Sequence, residues 1–439
     1  QSATNVPACL KGHGAQGAVG LLELWAGCRQ VGHAAMRDGY LDLAIIAILV
    51  YLYSLVSARL RSSPISGALV FLILGVLLGP SVLGWLSIRP TSENLKVIAE
   101  LTLSLILFTD AANANLSVLR RNTRLPVRLL TLGLPLTILL GVVVGAVLFP
   151  DLQLVEVAIL SVVLAPTDAA LGQPVVSNPL VPAAIREDLS VESGLNDGIC
   201  VPLLLALLAM AGQVVPGGDA PSLLGVLFVQ QLGFGLLLGG TITFAAVWGR
   251  DRCRERSWIS DDWQPLLAIA LPLTCFAVAQ ELGGSGFIAC FTGGLLYGAV
   301  TGRSKAEELV AAEATGDSLS LVTWVAFGSA SAVVAVSQLS WNTLAYAVLS
   351  LTVVRMVPVA LVMGGMGRDL PTKLFVGWFG PRGLASIVFA VLVLDAALPH
   401  GRQIVSVVTF TILLSILAHG LSASPLAGRY SAWMKPYCG

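Results

Sequence analysis

Apolar stretches of 17–25 residues follow one another along almost the whole chain, each long enough to cross the hydrocarbon core of a bilayer as one helix. In hydrocarbon a backbone has no water to bond to, and a helix meets all its hydrogen bonds within the segment. The spans fall near 41–58, 65–86, 95–113, 126–149, 154–171, 189–212 and 222–248, then near 264–281, 284–300, 317–337, 341–364, 374–397 and 402–427. Only 11% of the 439 residues are charged, whereas a soluble chain carries about 25%. The expected fold is an all-α polytopic membrane protein of about 13 transmembrane helices.

Loop charge gives the expected orientation. Loops after odd-numbered spans hold Arg59 and Arg61, then Arg120, Arg121 and Arg124, then Arg186, then the run RDRCRER at 250–256. Arg303 with Lys305, Arg368 with Lys373, and Arg429 with Lys435 continue the series. The alternate loops hold Arg89, Lys96 and Arg402. Because basic loops stay in the cytoplasm, this asymmetry predicts an outside N-terminus and a cytoplasmic C-terminus. Spans 1–6 and 8–13 then form two six-helix sets of opposite orientation around span 7, the topology of an inverted repeat.

Several classes are disfavoured. The 25 basic and 25 acidic residues cancel, and no basic block suits nucleic acid. Cys9, Cys28, Cys200, Cys253, Cys275, Cys290 and Cys438 show no metal or disulfide spacing, and His13, His33, His400 and His419 are scattered. Residues 1–40 are mixed in character and are expected to be an extension outside the fold, with Met36 a natural start just before the first span.

Polar residues inside the spans are the functional signal, because each intramembrane acid costs roughly 2.5–3.5 kcal/mol to insert. Span 5 contains Pro166, Thr167 and Asp168 in APTDAALG, where a lost backbone donor stands beside a hydroxyl and a carboxylate. Freed carbonyls and a carboxylate at mid-depth suit a cation, and they outweigh the reading as a tolerated kink. Span 6 carries VESGLNDGICVP. Ser193 and Asp197 share one face and Glu192 and Asn196 another, while Glu192 and Asp197 stand about 140° apart. The two acids therefore serve different neighbours. Glu192 needs a cationic partner, for which Arg355 in span 11 and Arg382 in span 12 are the candidates. Arg355 lies mid-span among apolar residues, which favours a fixed ion pair with Glu192. Arg382 sits between Gly380-Pro381 and Gly383, where a helix should break, and its charge suits the C-terminal end of a half-helix. Asp110 is either a third cavity carboxylate or an acid at the membrane interface; Glu281 and Asp395 fall at span ends.

APTDAALG in span 5 and ESGLNDG in span 6, with the arginine of span 11 and GPRG in span 12, resemble the bacterial monovalent cation:proton antiporters, specifically the NhaP-type sodium/proton branch. The resemblance runs from about residue 41 to 430. It implies 13 helices in two inverted six-helix repeats with broken crossing helices 5 and 12, a homodimer, and an elevator motion. Dimerisation helices would cover about 41–113 and 264–337, a linker helix about 222–248, the ion-transporting core about 126–212 and 341–427, and a short cytoplasmic tail 431–439. It further implies that Asp197 alternately holds a proton or a sodium ion, with Asp168, Thr167 and Ser193 as further ligands. Asn196 matches the asparagine of the electroneutral branch. Glu192 and Arg355 match a stabilising ion pair and Arg382 the arginine of the second crossing helix, while Asp110 corresponds less directly to an acid of helix 3.

One carboxylate shared by two cations explains exchange: protonated it is neutral, and ionised it moves only with a cation bound. This predicts an electrically silent secondary transporter in the inner membrane, with no cofactor, moving Na+ (or Li+, or K+) against H+. A channel would need a continuous pore, and an intramembrane aspartyl protease would leave Arg355 and Arg382 without a purpose.

Overall fold

The structure, a computed structural model, describes residues 40–57, 59, 67–80, 82–86, 93–113, 124–168, 171, 175, 178, 181–212, 220–301, 305–337 and 339–434. The extension, and among the loop cations Arg61, Arg89, Arg120, Arg121, Arg303 and Lys435, lie outside the described residues.

The described residues contain helices and no strand, and every predicted span has a helix. These are α1 (Tyr40–Ser57), α2 (Gly67–Leu78), α3 (Glu93–Asn113), α4 (Arg124–Leu148), α5 (Leu154–Val163), α6 (Ala183–Gly212) and α7 (Ala220–Glu255). They continue as α8 (Gln264–Glu281), α9 (Gly286–Thr301), α10 (Lys305–Ser337), α11 (Trp341–Val362), α12a (Leu370–Trp378), α12b (Leu384–Asp395) and α13 (Gly401–Met434). Leucine and valine side chains on the outside of α1, α4 and α7, such as Leu55, Val147 and Leu237, are exposed. They have no protein to pack on, as expected where lipid is the neighbour.

The helices pack as two groups. In one, α2 lies on α10 and α9 lies on both α3 and α7, with α8 against α9 and α10. Glycine makes the α3–α9 contact possible: a Cβ on Gly294 or Gly298 would stand 2.3 or 2.2 Å from the carbonyl oxygens of Phe108 and Ala112. Small residues that let helix backbones touch are the usual means of association in hydrocarbon, where burial from water gives no drive. In the second group α4 packs on α5, α5 on α6, α11 on α12a and α13, and α12b on α13. The groups meet where α3 touches α6 and α12b, where α9 touches α6, and where α10 touches α13.

Two irregularities were not expected. Residues Leu129–Gly133 of α4 form a π-helical turn just before Pro135, whose missing N–H cannot continue the regular ladder. In α11 the helix is interrupted at Thr352, and Arg355 lies in the first turn of the α-helical segment Val353–Val362 that follows. Thr352 donates its hydroxyl to the Val348 carbonyl at 2.7 Å, a back-bond that bends helices.

The N-terminal ends of α5 and α13 are tied together. Glu156 closes a capping box on Gln153, and its carboxylate also accepts the His400 N–H at 3.0 Å and lies 2.8 Å from His400 Nδ1. This clasp fixes the start of α5, so that its other end arrives at a defined depth.

Candidate functional site

Both predicted breaks are present, and they meet. After Val163 the helix ends: Leu164 N–H makes the last i→i−4 bond, to Leu160 O, Ala165 N–H turns to Val162 O, and residues 166–168 are non-helical; Pro166 has no N–H to donate and disfavours helix in Ala165. After Trp378, residues 379–383 are non-helical until α12b begins at Leu384.

A helix end leaves carbonyls or N–H groups without intrahelical partners, and in a membrane these must be met by protein. Each break meets the needs of the other. Arg382 donates from Nη1 to the carbonyls of Ala165 at 2.7 Å and Pro166 at 3.0 Å, and the Ser386 hydroxyl donates to Val163 O at 2.7 Å. In return the Leu384 N–H donates to Asp168 Oδ2 at 2.9 Å, and the Asp168 N–H donates to Pro381 O at 2.8 Å. A guanidinium thus stands at the C-terminal end of α5 and a carboxylate at the N-terminal end of α12b, each opposite in sign to the local helix dipole.

Helix α6 borders this crossing with its polar face. Ser193 Oγ donates to Thr167 O at 2.5 Å, and Asn196 Nδ2 donates to Thr167 Oγ1 at 2.7 Å. Asp197 is buried, and neither its Oδ1 nor Asn196 Oδ1 accepts a hydrogen bond from any of the described residues. Asp110 of α3 packs its backbone and Cβ against Gly194, so α3 brings a third carboxylate to α6, and Asp110, Asp168 and Asp197 lie within electrostatic reach of one another. Asp168 also lines a cavity of about 350 Å3 with Tyr53, Ser57, Leu171, Asp317 and Trp324, so the crossing is open to a space between α1, α2 and α10.

Glu192 faces away from that cluster. Its two carboxylate oxygens accept Arg355 Nη1 and Nη2 at 2.6 and 2.8 Å, a bidentate pair with both side chains almost wholly buried. Gly380 lies between this pair and the α5 break: a Cβ there would be 2.6 Å from Arg355 Nε and 3.0 Å from Thr167 Cγ2.

The structure therefore brings Thr167, Asp168, Ser193, Asn196, Asp197, Asp110, Pro166, Pro381 and Arg382 to one place and sets Glu192–Arg355 beside it. Three polar residues of the same region are not among the site residues expected from the sequence. These are Ser386, and Ser415 and His419 of α13, where Ser415 Oγ accepts the Arg382 N–H at 2.7 Å. Serine and histidine inside an apolar run are the signal that was available; only their partners show what they do.

Among the described residues no group of His, Cys, Asp and Glu has the arrangement of a resident metal site. The cluster offers oxygen atoms alone, which suits a hard cation as transported substrate. Gly383 sets its tolerance: a Cβ there would stand 1.8 Å from Asp168 Oδ2. Gly383→Ala must displace that carboxylate from Leu384 N–H. The variant should assemble normally by size-exclusion chromatography yet bind cation at least about tenfold more weakly, as read from the cation dependence of proton flux. Unchanged half-saturation would mean that Asp168 is not held in place by the crossing.

Two broken helices crossing inside a polytopic α-bundle, with buried carboxylates beside the crossing, define a secondary active transporter. The chain belongs to the sodium/hydrogen exchanger transmembrane family, whose model matches residues 44–429. It is 26% identical over 404 residues to the K+/H+ antiporter NhaP2 of Shewanella sp. strain MR-4, covering 90% of this chain and 67% of that protein. The K+/H+ antiporter NhaP of Alkalimonas amylolytica is 26% identical over 406 residues, again 90% of this chain and 67% of the relative. A Na+/H+ antiporter of Schizosaccharomyces pombe is 25% identical over 310 residues, 63% of this chain and 65% of that protein. The fold matches the sodium proton antiporter MjNhaP1 of Methanocaldococcus jannaschii with a TM-score of 0.71 at 20% identity, over 90% of this chain and 99% of the other. The protein is a monovalent cation/proton antiporter embedded in the membrane by multiple helices, a transporter and not an enzyme.

Proposed function

We propose that the protein exchanges one Na+ or Li+ for one H+ at Asp197, without net charge movement, by elevator-type alternating access in the inner membrane. The observation that carries this reading is the buried Asp197 carboxylate with an oxygen that takes no hydrogen bond from the described residues, set beside Asn196 Oδ1 in the same condition. An ionised carboxylate in that setting needs a cation or a proton, and it can hold only one of them at a time. Thr167, Asp168 and Ser193 supply the remaining oxygens, and Asp110 stands behind them on α3. Asn196 in place of a second acid leaves one titrating charge per cycle, which supports an electrically silent exchange. In this reading α4–α6 and α11–α13 carry the ion past α1–α3 and α8–α10, which pair in a homodimer, with α7 as linker. The loop arginines support a cytoplasmic C-terminus in this reading.

Potassium is the second reading, favoured by the names of the Shewanella and Alkalimonas relatives. The test is proton flux in proteoliposomes with a pH dye, adding NaCl, LiCl or KCl at fixed ionic strength, with and without an imposed membrane potential. Dequenching by Na+ and Li+ that ignores the potential is the expected result. Dequenching by K+ alone selects the second reading, and strong potential dependence removes the one-for-one stoichiometry. No response to any of the three salts would overturn exchange through this site.

A further inference from the structure

Span 13 is an apolar stretch that contains His419. In the structure α13 makes a set of polar contacts that mirrors those of α6. In an unbroken helix the Arg382 N–H would bond the Trp378 carbonyl, four residues back. The α12 break opens that pair, and α13 supplies a partner to each half. Ser415 Oγ accepts the Arg382 N–H at 2.7 Å, and His419 Nε2 lies 2.8 Å from Trp378 O, which also accepts the Gly380 N–H. Ser415 and His419 are four residues apart, hence on one helix face, and His419 Nδ1 lies 3.2 Å from Ser415 Oγ. Arg382 N–H donates to Ser415 Oγ, and the His419 ring stands between two carbonyls, with Nδ1 2.8 Å from Ser415 O and Nε2 2.8 Å from Trp378 O. A neutral ring donates to one of them and an imidazolium to both, and the tautomer with the proton on Nε2 closes the α12 break. Both side chains are almost wholly buried, and the His419 ring lies 5.1 Å from the Trp378 ring.

The α5 break is held from α6 in the same manner, by Ser193 on Thr167 O and Asn196 on Thr167 Oγ1. Helices α6 and α13 are the sixth members of the two oppositely oriented sets. Each thus carries a serine and a second polar side chain one turn further on, and each holds the break in the span before it.

We infer that Ser415 and His419 are positioning residues for the cation site: they replace the helical bond lost at the α12 break and so fix the segment that orients Asp168. The path is short. Arg382, whose N–H Ser415 holds, lies between Pro381, whose carbonyl accepts the Asp168 N–H, and Gly383–Leu384, where the Leu384 N–H meets Asp168 Oδ2. This inference rests on the reading of Asp197 and its neighbours as the exchange site.

The test compares His419→Phe, His419→Gln and Ser415→Ala with wild type in reconstituted proteoliposomes, using Asp197→Asn as the control for the site itself. Phenylalanine keeps a ring against Trp378 but donates nothing, glutamine keeps an amide donor, and Ser415→Ala removes the other contact at almost no change in volume. The expected result is a half-saturating cation concentration raised about tenfold in His419→Phe and Ser415→Ala, at nearly unchanged maximal flux, with most of the loss recovered in His419→Gln. Wild-type half-saturation in both His419→Phe and Ser415→Ala, with Asp197→Asn inactive, overturns the positioning role and leaves the site reading intact. Lower yield of folded protein with unchanged half-saturation overturns it in the same way, and so does a loss in His419→Gln equal to that in His419→Phe. Continued exchange by Asp197→Asn overturns the site reading and this inference together.

Discussion

Asp197→Asn should lose all cation-triggered proton flux, falling to the level of protein-free vesicles, while the purified protein melts at a higher temperature than wild type. The two halves of this result follow from one fact. Asp197 is buried and its Oδ1 takes no hydrogen bond from the described residues, so the ionised form is costly in the resting fold. Asparagine is nearly the same size, carries no charge and keeps an oxygen toward the crossing. It removes the cost of a buried ion, for which about 1–3 kcal/mol is a reasonable scale, and with it the group proposed to trade a proton for a cation there. Stability and activity should therefore move in opposite directions, which a misfolded variant cannot imitate. Flux by the pH-dye assay and melting by intrinsic fluorescence in detergent check the two halves. A variant that still exchanges would mean that Asp168 or Asp110 carries the proton. A variant that is inactive and melts lower would mean that Asp197 helps to hold the bundle together.

The spans were legible because hydrocarbon allows a backbone so few solutions; composition and length alone locate them. Their lengths were not. Helix α10 begins at Lys305, α13 runs on to Met434 and α7 to Glu255, well beyond the apolar windows near 317–337, 402–427 and 222–248. Hydropathy sees only the part of a helix that touches lipid, and these three continue as polar helix past it. The breaks in the fifth and twelfth spans were legible because Pro166 and Gly380-Pro381 each remove a donor or a side-chain constraint in mid-span. The interruption at Thr352 has no such mark: a threonine in an apolar helix is ordinary until its back-bond is seen. Site residues followed the same division. An acid in hydrocarbon announces itself by its cost, so Asp168, Glu192 and Asp197 stood out. Ser386, Ser415 and His419 cost little in isolation, and their part depends on which carbonyls and N–H groups a distant break leaves open. The opposed faces of Glu192 and Asp197 could be read from helical geometry, and Arg355 as the partner of Glu192 from its apolar mid-span setting; the bidentate geometry of that pair, between residues 163 apart in sequence, could not.

That ion pair supplies the second large effect. Arg355→Ala or Glu192→Ala should each lower stability by about 3–5 kcal/mol, because each leaves a buried charge whose partner has gone. The doubly substituted Glu192→Leu/Arg355→Met, apolar at similar volume, should recover most of that loss, since both desolvation penalties vanish with the charges. The pair fits this expectation closely: two hydrogen bonds of 2.6 and 2.8 Å at side-chain exposures of 2% and 3% are geometry that only its own partner can satisfy, and Arg355 Nε finds no other acceptor. Melting of the three variants in one detergent, analysed as a double-mutant cycle, measures the coupling directly. A double variant as unstable as the sum of the singles would show that the residues act separately. The cycle also bears on transport, because Arg355 stands against Gly380 and Gly380 against Thr167. If the pair serves only to join α6 to α11 around the breaks, the double variant should fold and exchange, with a shifted half-saturation but the same ion preference. If it folds as well as wild type and does not exchange at all, the charges themselves shape the potential felt by a cation at Asp197, and Glu192 belongs to the transport site despite facing away from it.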